Sequence, residues 1–272
     1  MNESDRMTFL KSKAVVCDLD GTLYLESKPV PGAVEFLNAV LDSGRKLFYF
    51  TNNSSRSRET YIEKLEKIGF PCKDEYLITS TDCADSYLRH HDLFPEIYLI
   101  GNRDLTLDFT RRGYKCMTDE EVKTSLPKAL VLGFDTELTY QKLCTGYDLL
   151  MADVPYVATH ADLLCPVTKT TFKPDVGSFI SLFDTATGGK RPVVTGKPHQ
   201  EAVQAISERA GVPPQEIAFV GDRLYTDIRM AQQFDMIGVL VMSGETTPEM
   251  LEKSPDQPKI TIPGVWELTG LM

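Results

Sequence analysis

Short apolar runs alternate with amphipathic stretches along the chain, a pattern that predicts alternating strands and helices. The first series comprises "AVVC", "PGAVEFLNAVLDSG", "LFYF" and "RETYIEKLEKIG". In its first helix, Val34, Leu37 and Leu41 keep helical spacing. Pro31 suits the first helical position, and Gly44 suits a left-handed stop. The N-terminal part is therefore expected to fold as β-α-β-α.

The same alternation returns in the C-terminal third, in "PVVTG", "PHQEAVQAISERAG", "IAFVGD", "DIRMAQQF" and "IGVLVM". These strands are continuous apolar runs, which is typical of a parallel sheet covered on both faces. The middle of the chain has strand candidates of its own in "IYLIG", "KALVLGF" and "YVATH". We therefore expect an α/β protein with a Rossmann-like parallel sheet core, formed by residues 1–82 and 178–272, and an inserted α/β domain at residues 83–177.

Polar residues follow four of the predicted strands at their carboxyl ends, where open parallel sheets bind ligands. Asp18 and Asp20 lie on the same side of the extended chain, because side chains repeat every second residue. Two carboxylates that close repel each other unless a cation or a shared proton compensates. The residues at the four strand ends are Asp18 and Asp20, Thr51 and Asn52, Gly196 and Lys197, and Gly221 and Asp222.

These residue types together favour a site for magnesium and phosphate. Mg²⁺ takes oxygen ligands and commonly binds through one or two carboxylates and a substrate phosphate. A lysine and loop donors suit the charge that is spread over the oxygens of a transferring phosphoryl group. The sequence therefore predicts Mg²⁺ as the cofactor and a phosphate ester as the ligand.

Four motifs carry a resemblance to the haloacid dehalogenase (HAD) superfamily: "DLDGTLY" from Asp18, "TNN" from Thr51, "GKP" from Gly196 and "GDRLYTDI" from Gly221. Their order and spacing span nearly the whole chain. The insert between the second and third motifs resembles the C2-type cap of the NagD and 4-nitrophenylphosphatase branch. The resemblance implies the HAD fold for the core and a C2-type cap for the inserted domain, and it suggests a homodimer.

Roles for the aspartates follow from this resemblance. Asp18 is expected to be the nucleophile that forms an aspartyl-phosphate, and Asp20 to protonate the leaving oxygen and later deprotonate water. The implied metal ligands are the side chains of Asp18 and Asp222 and the backbone carbonyl of Asp20. Asp227 would support these ligands without touching the metal, and it equally suits a structural place in the first turn of "DIRMAQQF".

The resemblance also implies which residues bind the phosphoryl group. Thr51 and Asn52 would donate hydrogen bonds to its oxygens, and Asn53 would bind substrate beside them. The "NSSRS" segment would open a helix whose N-terminal amides favour an anion. Lys197 would neutralise charge on Asp18 and on the phosphoryl group.

The chain departs from the pattern of that branch at two places in the inserted domain. Related sequences resemble "ATNPD" where this chain has "ATHAD", so His160 and Ala161 differ. In "KPDVGS", Asp175 stands in place of the usual glycine. We hypothesise that His160, with Lys169 or Lys173, binds the part of the substrate that is not phosphate.

Composition limits the partners. A net charge of −10 and a pI near 5.0 argue against nucleic acid and anionic membranes. No apolar stretch approaches the roughly 20 residues of a membrane helix, and the N-terminus lacks an apolar signal segment, so a cytoplasmic protein is expected. The six cysteines contain no CxxC pair, which favours buried thiols over disulfides or a zinc site.

The function that these observations favour is that of a Mg²⁺-dependent phosphatase. Its substrates would be small phosphate monoesters such as nucleotide, sugar or other metabolite phosphates, with 4-nitrophenyl phosphate as a substrate in vitro. Three alternatives stay open: a dehalogenase, a phosphotransferase, and a regulatory protein that binds phosphate esters without turnover. Asp20 and Asp222 count against the dehalogenase, which needs neither a metal nor a second acid.

Overall fold

The structure, a computed structural model, describes residues 2–166 and 171–271. The chain forms two compact units. The first comprises Met1–Thr51, Glu59–Ile78 and Lys197–Met272, and the second comprises Asn52–Arg58 and Thr79–Gly196. The second unit therefore consists of two segments that interrupt the first along the sequence.

Strands and helices alternate through much of both units. The strands are β1 (Ala14–Asp18), β2 (Tyr24–Leu25), β3 (Lys28–Pro29), β4 (Lys46–Thr51), β5 (Leu77–Thr79), β6 (Glu96–Ile100), β7 (Lys115–Cys116), β8 (Ala129–Leu132), β9 (Tyr156–Ala158), β10 (Leu164–Pro166), β11 (Phe172–Pro174), β12 (Val193–Val194), β13 (Ile217–Gly221), β14 (Ile237–Val241) and β15 (Ile260–Ile262). The α-helices are α1 (Glu3–Phe9), α2 (Ala33–Asp42), α3 (Arg58–Ile68), α4 (Ser80–His90), α5 (Arg103–Arg111), α6 (Tyr140–Met151), α7 (Val176–Thr187), α8 (Gln200–Ala210), α9 (Arg229–Gln233), α10 (Pro248–Lys253) and α11 (Trp266–Thr269). A π-helical turn, Leu224–Ile228, directly precedes α9.

The first unit is built on a sheet with the strand order β15-β14-β13-β1-β4-β5. β1 pairs in parallel with both β13 and β4, and its Val16 lies opposite Phe219 and Phe48. Every residue of β1, β13 and β14 is buried. The prediction of a parallel α/β core with continuous apolar strands is confirmed.

Helix α2 shows how the sequence places a helix on this sheet. Ala33, Phe36, Leu37 and Val40 of α2 are buried, and they share the core of the first unit with residues of β1 and β4. The predicted start at Pro31 was wrong. The helix begins at Ala33, because the intervening Gly32 has a left-handed backbone with φ of 72° and lies against Trp266. The predicted stop at Gly44 is confirmed, with φ of 78°.

The second unit has its own parallel sheet, with the strand order β12-β9-β8-β6-β7, and the antiparallel hairpin β10–β11. Side chains alternate between the two faces of this sheet, as they must in extended strands. Tyr98, Ile100, Leu130 and Leu132 share one apolar core with residues of α6 and α7. The opposite face, which carries Ile97, Leu99, Ala129 and Val131, packs with residues of α4 and α5.

The segment "PVVTG" does not belong to the core sheet, contrary to the sequence prediction. Its strand β12 pairs with β9 of the second unit, with Val193 opposite Val157. A strand of two residues carries too little pattern to specify its sheet, so the pairing depends on tertiary context.

The extent of the second unit also differs from the predicted insert, 83–177. The predicted boundary falls inside α7, whereas the compact unit continues to Gly196. The physical reason is that Phe183 of α7 lies in the same apolar core as Leu149 and Leu150 of α6. The pairing of β12 with β9 keeps the following residues in this unit as well.

Two sequence expectations concern features other than the sheets. Within the described residues, no helix is both long and apolar enough to cross a membrane. The six cysteines are thiols rather than disulfides; Cys17 and Cys83 are buried and the others are partly buried.

Candidate active site

Three carboxylates come together beyond the carboxyl ends of β1 and β13. Asp18 is the last residue of β1, Asp222 directly follows β13, and Asp227 lies in the π-helical turn. One oxygen atom of each lies within 4.8 Å of the others, and all three side chains are largely buried. Adjacent parallel strands therefore place residues that are 204 positions apart in the sequence at one point.

Lys197 joins two of these carboxylates. Its Nζ donates to Oδ1 of Asp18 at 2.5 Å and to Oδ1 of Asp227 at 2.8 Å, and its side chain is 3% exposed. The ammonium also lies 5.3 Å from the ring centroids of both Phe50 and Phe219. Burial disfavours the charged amine, but Asp18 and Asp227 outweigh burial and raise the pKa of Lys197 above its ordinary value.

Burial raises the pKa of Asp18 and that of Asp222 above the ordinary value of an aspartate, and repulsion by neighbouring carboxylates adds to both shifts. Burial raises the pKa of Asp18 to about 8; Lys197 opposes this shift, and the charges of Asp227 and Asp222 add to it. Burial, and then the charge of Asp227, raises the pKa of Asp222 to about 6. A bound cation would favour the ionised forms, and an all-oxygen donor set suits Mg²⁺. The residues present therefore fit the predicted metal.

Asp222 is held by residues that the sequence analysis did not single out. Its Oδ2 accepts a hydrogen bond from the backbone N–H of Glu245 at 2.8 Å, and its Oδ1 accepts one from Oγ1 of Thr22 at 3.3 Å. A Cβ on Gly21 or on Gly244 would overlap the Asp222 carboxyl. The sequence does contain a signal for Gly244 and Glu245. The segment "SGE" directly follows the predicted strand "IGVLVM", just as the other motifs follow their strands.

Both carboxylate oxygens of Asp227 accept hydrogen bonds from other residues of the protein. Oδ1 accepts from Lys197, and Oδ2 accepts from the backbone N–H of Arg223 at 3.2 Å. A Cβ on Gly221 would overlap the Asp227 carboxyl, so the glycine allows its close approach. This arrangement favours the holding of Lys197 over direct ligation of a metal.

Asp20 and Thr51 belong to the same unit as the carboxylate cluster. The Asp20 side chain is 47% exposed and lies outside the group of carboxylates close enough to share a metal ion. Its Oδ2 accepts from the hydroxyl of Tyr24 at 3.2 Å. Thr51, the buried last residue of β4, follows Phe50, which lies opposite Asp18 in the sheet.

Asn52 and Asn53 belong to the second unit. The Asn52 amide donates to Oδ1 of Asp162 at 3.2 Å, and its backbone carbonyl accepts from the Ser80 hydroxyl at 2.6 Å. Oδ1 of Asn53 accepts from the backbone N–H of Ser55 at 2.9 Å. The segment "NSSRS", which was expected to open a helix, lies just before it: α3 begins at Arg58.

His160 and Asp175, two of the three positions expected to be unusual, contact each other. Nε2 of His160 lies 3.1 Å from Oδ1 of Asp175, and Nδ1 lies 3.0 Å from Oγ1 of Thr159. The imidazole has no exposed surface. Lys173 is exposed on β11, and Lys169 lies outside the described residues.

Comparisons with known proteins identify the family. The family model described as haloacid dehalogenase-like hydrolase matches residues 15–115, and one described as HAD-hydrolase-like matches residues 194–268. The crystal structure of 4-nitrophenylphosphatase from Thermotoga maritima is 34% identical, covers 97% of this chain and 98% of its own, and superposes with a TM-score of 0.90. The chain belongs to the haloacid dehalogenase-like hydrolase family.

Other members of the HAD-like family place the chain in its NagD-like phosphatase branch. The acid sugar phosphatase of Staphylococcus saprophyticus is 28% identical over 92% of this chain and 93% of its own. NagD from Escherichia coli K-12 is 25% identical, covers 94% of this chain and 98% of its own, and has a TM-score of 0.85. The predicted family, fold and enzyme class, a phosphatase that hydrolyses phosphoric monoesters, are confirmed.

Proposed function

We propose that this HAD-like phosphatase hydrolyses small phosphate monoesters through an aspartyl-phosphate on Asp18, with Mg²⁺ bound beside it. The observation that carries the proposal is the position of the Asp18 carboxylate. It lies at the carboxyl end of the inner strand β1, 2.5 Å from the Lys197 ammonium and within 4.8 Å of Asp222. A buried carboxyl between a lysine and a second carboxyl, which a bound cation would keep ionised, suits a nucleophile that approaches an anionic phosphate.

The reaction would proceed in two steps. An Asp18 oxygen bonds to phosphorus, the bond from phosphorus to the leaving oxygen breaks, and Asp20 gives that oxygen a proton. Water then attacks phosphorus, the bond between Asp18 and phosphorus breaks, and Asp20 takes a proton from the water. Lys197 would balance negative charge on Asp18 and on the phosphoryl oxygens in both steps.

Asp18 and Asp222 would hold the metal with their side chains, and Asp20 with its backbone carbonyl. When bound, Mg²⁺ supplies positive charge next to the transferring phosphoryl group. Asp227 would keep Lys197 in place, as its hydrogen bond to the ammonium suggests. The raised pKa values of Asp18 and Asp222 support a site that gains from a cation.

Thr51 would donate to the phosphoryl oxygens, together with Asn52 and Asn53, which follow it directly in the chain. The position of Thr51 at the carboxyl end of β4, one strand away from Asp18, supports this role. Such donors matter because the charge of the transition state is spread over the phosphoryl oxygens.

The substrates that we propose are small metabolite phosphates, with sugar phosphates and 4-nitrophenyl phosphate as the first candidates. The names of the relatives support these two choices. We further propose that the second unit is the C2-type cap and that His160 influences substrate choice. Because His160 is buried against Asp175, it would act by shaping the cap. If His160→Ala leaves the ranking of a panel of phosphate esters unchanged, that part of the proposal is wrong.

Phosphate release tests the proposed function directly. We expect wild-type protein to release phosphate from 4-nitrophenyl phosphate with Mg²⁺ and to stop when EDTA is added. Asp18→Asn should be inactive. Asp256→Asn is the matched control, because Asp256 is an equally buried aspartate of the first unit that pairs with Arg229. It should keep wild-type activity.

Two outcomes would contradict the proposal: an Asp18→Asn variant that turns over at the wild-type rate, and full activity in excess EDTA. Trapping of a labelled phosphoryl group on the wild-type protein, and its absence from Asp18→Asn, would identify the intermediate. The homodimer suggested by the resemblance stays a prediction, which light scattering after size-exclusion chromatography tests.

A further inference from the structure

The two carboxylate oxygens of Asp20 have different neighbours. Oδ2 accepts a hydrogen bond from the hydroxyl of Tyr24 at 3.2 Å. Oδ1 lies 3.8 Å from Nζ of Lys64 on α3, beyond the length of a good hydrogen bond. Since the side chain is about half exposed, Oδ1 is the oxygen with the looser contact.

Tyr24 is a fixed support. Its side chain has no exposed surface, and its ring lies 6.4 Å from the ring of Phe70. Its backbone lies in the hairpin of β2 and β3, and its carbonyl accepts from the N–H of Gly21 at 2.9 Å, which closes the turn after Asp20. The Lys64 ammonium lies 3.8 Å from the centroid of the Tyr24 ring, so a cation–π contact holds the ring from another element.

The hydrogen bond from the Tyr24 hydroxyl occupies Oδ2 of Asp20. An ionised carboxylate has no proton to donate, so the hydroxyl is the donor whenever Asp20 is ionised. A proton that Asp20 then takes up has its place on Oδ1, because Oδ2 already accepts from the hydroxyl.

We propose that Tyr24, held in place by Lys64, is the positioning residue for Asp20: it fixes Oδ2 and leaves Oδ1 as the oxygen that transfers protons. This inference rests on the acid–base role proposed above for Asp20. In the first step the Oδ1 proton moves to the leaving oxygen as its bond to phosphorus breaks. In the second step Oδ1 takes a proton from the attacking water as the bond between Asp18 and phosphorus breaks. Tyr24 keeps its own proton throughout.

The basicity of the leaving group separates this role from a purely structural one. 4-Nitrophenolate is a weak base that departs with little need for a proton, whereas phenolate is more basic and benefits from general acid catalysis. The two esters differ only in the nitro group. We expect Tyr24→Phe to raise the ratio of kcat/KM for 4-nitrophenyl phosphate to kcat/KM for phenyl phosphate about tenfold. The value of kcat/KM is the right measure, because it reports the steps up to phosphorylation of the enzyme.

Tyr49→Phe is the matched control for Tyr24→Phe. Tyr49 is equally buried, its ring also lies 6.4 Å from Phe70, and its hydroxyl donates to the Pro71 carbonyl at 2.7 Å. This variant should leave the ratio unchanged. Lys64→Met should raise the ratio about threefold, and it carries the test if Tyr24→Phe does not fold. Its control is Lys67→Met, an exposed lysine of the same helix that pairs with Glu63.

The outcomes distinguish this inference from the proposed function. A ratio that rises in Tyr24→Phe and Lys64→Met but not in the controls supports the inference. Asp20→Asn should raise the ratio further. If Asp20→Asn raises it but both Tyr24→Phe and Lys64→Met leave it unchanged, the inference is wrong and the role of Asp20 stands. If Asp20→Asn also leaves it unchanged, the acid role fails and the inference fails with it.

Discussion

Nε2 of His160 lies 3.1 Å from Oδ1 of Asp175, so two of the three residues expected to depart from the sequence pattern of the branch form one buried pair. Asp175 also accepts from the backbone N–H of Val176 and so caps α7. Oγ1 of Thr159 lies 3.0 Å from the imidazole and 3.2 Å from the Ser54 hydroxyl. The pair is therefore part of a polar network inside the second unit.

The first prediction is that His160 and Asp175 are energetically coupled. His160→Ala leaves a buried carboxylate without its imidazole partner, and Asp175→Asn weakens the same contact while keeping an oxygen that can cap α7. A double-mutant cycle in urea should give a coupling energy of about 1–3 kcal/mol. A coupling energy within error of zero would show that the contact does not contribute to stability. Pairing Asp175→Asn with Ser86→Ala, a half-buried position of the same unit whose hydroxyl lies 3.3 Å from Nδ1 of His90, provides an additive control.

The second prediction concerns Lys197. Lys197→Met leaves Asp18 and Asp227 buried without their shared ammonium, so the free energy of unfolding should fall by about 3–5 kcal/mol. Phosphatase activity should fall about 10²–10³-fold. Lys46→Met is the control, because the Lys46 ammonium donates to the backbone carbonyl of Ala210. Wild-type activity in Lys197→Met, measured by phosphate release, would remove Lys197 from the mechanism.

The third prediction concerns the glycine that borders Asp222. In Gly244→Ala the new methyl group would overlap the Asp222 carboxyl and displace it. We expect the Mg²⁺ affinity, measured by calorimetry, to fall about tenfold or more. Gly270→Ala is the control, because a Cβ there meets nothing within 4 Å. Equal Mg²⁺ affinity in the two variants would argue against Asp222 as a ligand.

The fourth prediction concerns pH. The pKa values of Asp222, about 6, and of Asp18, about 8, lie above those of exposed carboxylates. Protonation of both groups therefore stabilises the folded state of the metal-free protein relative to its unfolded state. This stability is present below the ordinary carboxylate pKa and is lost as the pH rises through 6 and 8. Mg²⁺ competes with the same protons. The rise in Tm on addition of Mg²⁺ should therefore be larger at pH 8 than at about pH 5, and this difference should be smaller in Asp222→Asn, in which only Asp18 is left to exchange a proton for the metal.

The carboxylate cluster could be predicted from the sequence, because its position depends on a simple geometric rule. Asp18 and Asp222 follow continuous apolar runs, and parallel strands bring their carboxyl ends to one edge. Lys197 was found through its motif, but the expected reason was wrong, since its preceding strand belongs to the other sheet. The contact between Tyr24 and Asp20 depends on a two-residue hairpin and a side-chain rotamer, which local sequence patterns do not specify.

The chain passes between the two units after Thr51, Arg58, Ile78 and Gly196, and two of these junctions divide the motifs "TNN" and "GKP". A chimera that exchanges the inserted unit with that of a relative must therefore be spliced inside these motifs. Asn52 would then arrive with the donor unit, while Thr51 would stay with the recipient. With the proposed role of the second unit, substrate specificity would follow the donor unit, and the nucleophile Asp18 would come from the recipient.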